Sequence, residues 1–292
     1  ALQFSNQQAA KLSRYIFGRT QGNPFYVTQL LTTLNQDGQL FFDAGQREWR
    51  YELPDSLKKV TDHQLVDMVV SRINRLPAES KTLLQFAACL GARFDTQRLA
   101  SLLFNSESGI TESDIKKRLA PAIESGLVLP KNQWSDYEQQ RSNPISSYEF
   151  LHDRVQQAAY DLAPVAIQQQ NHLQIAYCLQ EQLTDEQQQE QLFEIANQFN
   201  SGIEQLPESK RLTTASTCLR AAQKARKATA FESAVFYAEL SIRLLGDSDA
   251  WQQHHELRFE QGLVLAECEG LCRRFSQSER KINELQLHLT NL

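Results

Sequence analysis

The 292-residue sequence predicts a mainly α protein in three parts. These are a helical segment carrying a β-hairpin (1–76), a winged-helix domain with a two-stranded wing (77–165), and tetratricopeptide-like α-helical repeats (166–292). Three observations lead there. Apolar residues recur at helical spacing, as in Leu65, Val66, Val69, Val70 and Ile73. Turn residues punctuate these runs at Asp37-Gly38, Leu53-Pro54 and Leu76-Pro77. The last third aligns with itself at an offset of 44 residues, which marks a repeated helical unit.

The first part begins with a helical pattern over 7–17, carried by Ala10, Leu12, Tyr15 and Ile16. After Thr20-Gln21-Gly22-Asn23 a second helix runs from Pro24 through Leu34. Proline suits a first helical position, because that N–H has no intrahelical partner and φ is already set. The aromatic-rich runs Gln39–Phe42 and Glu48–Tyr51 flank Asp43-Ala44-Gly45-Gln46 and predict a hairpin. A third helix follows over 61–75.

From Pro77 the order is helix (79–90), helix (96–104), helix (112–125), strand (127–130), polar loop (131–146), strand (147–151) and helix. Three helices followed by two strands describe a winged helix-turn-helix. Beyond 166 the pattern is helical throughout. Aligning Leu219 with Leu263 superposes Ala222 on Ala266, Ala228 on Cys272, Phe231 on Phe275, Ile242 on Gln286 and Leu245 on Leu289. Small residues on a first helix, then an aromatic opening a second, suit stacked helical hairpins.

No run reaches the roughly 18–20 apolar residues of a membrane span, and the first residues lack a signal-peptide layout, so the expected compartment is the cytoplasm. Five cysteines, mostly in helical apolar patterns, are expected to be free thiols of a reducing compartment. Net charge is +2, −2 and −5 over the three parts, and no part is basic enough for a nucleic-acid footprint.

The most informative run is Phe150-Leu151-His152-Asp153-Arg154-Val155-Gln156-Gln157-Ala158-Ala159-Tyr160, which sets a His-Asp pair where an extended segment becomes an apolar-faced helix. Backbone N–H groups and the helix dipole favour an anion at such a junction, and an imidazole can donate to a phosphate oxygen. Taken on residues alone, a capping or core imidazole bonded to backbone is the stronger reading of His152. The turn Thr20-Gln21-Gly22-Asn23-Pro24-Phe25-Tyr26 is a second such junction, far upstream.

These two runs, the hairpin with Trp49, Leu84-Gln85-Phe86-Ala87-Ala88-Cys89-Leu90-Gly91-Ala92-Arg93-Phe94-Asp95 and Gly126-Leu127-Val128-Leu129-Pro130 together resemble the STAND-class signalling ATPases. They are most similar to the ATPase modules of large bacterial proteins that also carry serine/threonine kinase and sensor histidine kinase or GAF domains. The resemblance covers nearly the whole chain. It implies that 1–76 is the helical lid of the ATPase module. The Gly22-Asn23-Pro24 turn would set Pro24 beside adenine. His152 would hold the ADP phosphate in a closed state, with Asp153 fixing the local geometry and Leu151 standing where relatives have Met. ADP or ATP with magnesium would be bound mainly by an upstream core in a longer parent.

One departure limits the activity. No Gly-x-x-x-x-Gly-Lys-Ser/Thr loop occurs, and no apolar strand ends in a paired acidic motif, so a phosphate cradle and a magnesium ligand are missing. The chain is therefore expected to be non-enzymatic and to hold no nucleotide alone. It reads as an excised piece whose partners are the upstream nucleotide-binding core, kinase or sensor domains, and a protein on the helical repeats. Two other readings compete. One is a DNA-binding regulator that uses 112–125 with Lys116, Lys117 and Arg118, disfavoured by the −2 charge and Pro121. The other is a non-catalytic scaffold. A zinc site from His254, His255, Cys268 and Cys272 is disfavoured, because both cysteines fall at small-residue repeat positions.

Overall fold

In a computed structural model, which describes residues 6–53, 69–103, 109–131, 147–246 and 250–289, helix α1 (Asn6–Thr20) ends in two left-handed residues, Gln21 at φ 50° and Gly22 at φ 77°. The reversal starts α2 (Pro24–Gln36) at the proline. A hairpin follows, β1 (Leu40–Asp43) pairing antiparallel with β2 (Glu48–Tyr51), from Leu40↔Tyr51 to Asp43↔Glu48. The Asp43 carboxylate builds the turn by accepting the N–H groups of Gly45 (2.9 Å) and Gln46 (3.1 Å). Leu30, Leu34 and Leu40 form a core against Tyr15, Ile16 and Trp49, which docks the hairpin on the helix pair. The expected helix 61–75 is described only from 69; this part, α3 (69–74), buries Val69 and Ile73.

The chain continues through α4 (Ala78–Leu90), β3 (Arg93–Asp95), α5 (Thr96–Leu103), α6 (Glu112–Glu124), β4 (Val128–Pro130), β5 (Ser147–Phe150) and α7 (Asp153–Asp161). Helix α6 opens with a capping box between Thr111 and Asp114 and runs through Pro121. Both expected strands are present and pair antiparallel as β4 and β5, and an unexpected third strand, β3, gives a sheet in the order β3-β5-β4. The extra strand forms because Phe94 has somewhere to go: its ring stacks on Tyr148 (centroids 6.2 Å) and meets Phe150 edge-on (5.4 Å). Asp95 ends the strand by capping α5 through the N–H groups of Gln97 and Arg98. Of the expected polar loop 131–146 only Lys131 is among the described residues, and Phe104 also lies outside them.

Two compact units divide the chain, Ala1–Ala163 and Pro164–Leu292, so the first two expected parts share one unit. The second unit holds α8 (Val165–Gln182), α9 (Asp185–Glu190), α10 (Leu192–Ser201), a 3₁₀ turn (Ile203–Gln205), α11 (Glu208–Lys227), α12 (Phe231–Leu245), α13 (Ala250–Gln253), α14 (His255–Leu271) and α15 (Phe275–Leu289). The offset of 44 is a structural repeat. Helices α11 and α14 both end in a left-handed residue, Thr229 at φ 59° and Arg273 at φ 62°. Their turns carry the same bonds: Ala228 N–H to Lys224 O and Ala230 N–H to Ala225 O in one, Cys272 N–H to Cys268 O and Arg274 N–H to Glu269 O in the other. Phe231 and Phe275 open the second helices, and Ala222 and Ala266 are buried in the first ones. Helix α14 packs on both α11 and α12, so the two hairpins stack. The expected linker residues 247–249 lie outside the described ones.

Candidate functional site

The two junctions singled out in the sequence lie on different elements of the first unit. At the upstream one, Thr20 is buried, with its hydroxyl donating to Ile16 O (2.9 Å) and accepting the Gly22 N–H (3.3 Å). Asn23 N–H donates to Thr20 O (3.0 Å), and Asn23 O takes the first α2 bond, from Val27 N–H (2.9 Å). These local bonds close the turn, and Asn23 and Pro24 are exposed at its tip. Beneath it the Arg19 guanidinium lies 3.6 Å from the Tyr15 ring centroid.

At the downstream junction His152 is the N-cap of α7, with extended backbone (φ −161°, ψ 154°). Its Nδ1 accepts the Arg154 N–H at 3.2 Å, and its carbonyl accepts from Val155 (2.8 Å). The cap has a chemical consequence: a ring whose Nδ1 accepts is neutral and carries its proton on Nε2. Nδ1 faces the α7 N-terminus, and Nε2 is on the opposite side of the ring. Asp153 is exposed and has no side-chain partner among the described residues. Its carboxylate favours the helix start but opposes a second anion there. Arg154, exposed one residue further on, supplies a compensating positive charge that motif reasoning passed over, although it stands next to the His-Asp pair. Helix α7 is anchored from below: Gln156 Nε2 donates to Ala88 O of α4 at 3.0 Å, and Val155, Ala158 and Ala159 are buried.

Other constellations are satisfied internally. The three α6 cations are paired, Lys116 with Glu112 (2.6 Å), Lys117 with Asp114 (3.5 Å) and Arg118 with Glu79 (3.4 Å), so α6 offers no stripe of unpaired charge to a nucleic acid. Lys116 and Thr96 hold the Glu112 carboxyl below its ordinary range. Among the described residues no group of three or more His, Cys, Asp or Glu could hold a metal ion. Burial pushes the Cys218 thiol up to about 12 and Cys268 to about 11, both unreactive as thiolates near neutrality. His255 and His288 pack on Trp251 instead, His288 stacked at 3.8 Å between centroids. A groove of about 800 Å³ runs between α1 and the hairpin, lined by Lys11, Arg14, Phe41 and Arg50 among others; none of the four candidate residues lines it. No helix among the described residues is long and apolar enough to cross a membrane.

Over 97% of its length the chain is similar, at 24% identity, to the hybrid signal transduction histidine kinase G of Dictyostelium discoideum, of which it spans about a tenth. No protein-family model matches the chain. No solved structure matches it either.

Proposed function

We propose that this chain is a regulatory segment of a signal-transduction ATPase of the STAND type, contributing two contacts to an ADP or ATP molecule held mainly by an upstream core. Residues 1–76 act as the lid and present Asn23 and Pro24 to adenine. The domain over 77–165 is a winged helix whose His152 donates Nε2–H to the ADP phosphate, with Asp153 shaping the α7 start. The observation that supports this reading is that His152 caps its own helix through Nδ1, a bond made by the tautomer with its proton on Nε2. The similarity to a hybrid signal-transduction kinase supports the signalling role. The paired cations of α6 favour the clamp over a DNA-binding regulator.

The stacked hairpins of the second unit serve as the protein-binding surface. Leu263, Phe275 and Ile282 are exposed there, at 48, 68 and 44%. Lacking the glycine-rich loop and the acidic strand end, the segment hydrolyses no ATP by itself. Nucleotide state controls the assembly only if ADP binds the closed arrangement better than the open one, and His152 supplies that difference. The longer protein, purified without added nucleotide, is expected to carry ADP at close to one per chain. Recovery of the longer protein empty would sink the clamp and leave a scaffold.

A further inference from the structure

The end of the first segment and the start of α7 are joined by a short run of hydrogen bonds. Arg72, on α3, is only 6% exposed, although it belongs to a residue type that is almost never buried unless paired. Its Nη2 donates to the carbonyl of Ser125, the C-cap of α6. A guanidinium at a helix C-terminus satisfies a carbonyl that no helical N–H can reach and meets the negative end of the dipole. Gly126 follows at φ 64°, and a Cβ there would lie 3.9 Å from Arg72 Nη2, so the left-handed turn leaves room for the side chain. Gly126 N–H bonds Ile123 O (2.8 Å), and Leu127 N–H bonds Ala122 O (2.9 Å). Leu127 is fully buried, and its carbonyl accepts the Leu151 N–H at 3.0 Å. The residue after Leu151 is His152, whose ring holds the Arg154 N–H.

We propose that Arg72 is a positioning residue that couples the hairpin-bearing segment to the His152 turn, through the Ser125–Leu127 turn and the Leu127–Leu151 bond. Breaking this contact would take the Ser125 acceptor from a buried guanidinium and the Arg72 donor from the α6 end. Leaving a buried guanidinium or a helix-end carbonyl without this partner costs free energy, which favours the made contact. The coupling itself rests on geometry. Its consequence for nucleotide rests on the reading of His152 as a phosphate donor.

Residue-resolved amide hydrogen exchange on the 292-residue chain tests it. In Arg72→Met the amides of Gly126, Leu127, Leu151 and Arg154 are expected to exchange faster by about tenfold or more, while those of α11 and α14 stay unchanged as the internal reference. Arg72→Lys keeps the charge and one donor and should give a smaller rise at the same four amides; it also serves if the Met variant fails to fold. Faster exchange at Gly126 with Leu151 and Arg154 unchanged, in either variant, overturns the proposal and reduces Arg72 to a local cap. No nucleotide enters this experiment, so its result is independent of whether the longer protein retains ADP.

Discussion

His152 caps α7 with one of its two ring nitrogens, Nδ1. Capping uses Nδ1 and the proposed phosphate contact uses Nε2, so the cap and clamp readings, alternatives on sequence, do not compete for one nitrogen. A serine at 152 keeps an acceptor for the Arg154 N–H but has only a short hydroxyl, which does not reach as far as the imidazole Nε2–H, whereas a leucine has neither acceptor nor donor. Loss of such a cap costs about 1 kcal/mol. A second histidine tests burial. His172 in α8 is 7% exposed, with Nδ1 2.6 Å from Gln198 Oε1, and burial lowers its pKa from the ordinary value against the opposing Gln198 bond. The folded state therefore binds fewer protons than the unfolded chain. Stability is full above the unfolded pKa of about 6.5 and declines as pH falls below it. Urea unfolding should show a steeper loss between pH 7.5 and 5 for the wild type than for His172→Gln; equal slopes would remove His172 from the account. The His172–Gln198 pair was not legible in the sequence, because two polar residues 26 apart on separate helices carry no local pattern.

Helix and hairpin boundaries were legible wherever a local signal exists: Pro24 at a helix start, Asp43 in a turn, the 44-residue offset in α11–α15. Strand β3 was not, because Arg93-Phe94-Asp95 has one apolar residue and its partner β5 lies more than 50 residues on. The repeat makes sharp predictions. Thr229 and Arg273 occupy equivalent left-handed positions, which cost a side-chain-bearing residue strain that glycine avoids. Thr229→Gly and Arg273→Gly should each stabilise by about 0.5–1 kcal/mol, read as a rise in Tm, and add when combined because each acts in its own turn. The hairpins differ inside. Where the first has Cys218 and Ser241, the second has Gly262 and Leu285, with an ideal Cβ on Gly262 only 2.8 Å from Leu285 Cδ2. Gly262→Ala should cost about 1 kcal/mol, within the overpacking range, and adding Leu285→Val should recover part of it in a double-mutant cycle.

Across the molecule, the sequence showed the order of the helices and strands around both turn-to-helix junctions, but not that residues 1–163 form one compact unit. Arg72, which bonds Ser125 across the two parts, sits among the polar residues of an amphipathic pattern and reads as solvent-facing until Ser125 is brought to it. Signalling by such a chain requires that nucleotide contacts, the α3–α6 joint and the His152 turn share one equilibrium, so that ADP favours the closed arrangement. The most direct measurement is ADP affinity of the longer protein by calorimetry, comparing wild type, His152→Ser and His152→Leu. The clamp predicts that both variants lose about tenfold or more, the worth of a charge-assisted hydrogen bond, with serine as poor as leucine although it keeps the cap. Wild-type affinity in His152→Ser would contradict it and confine His152 to capping α7.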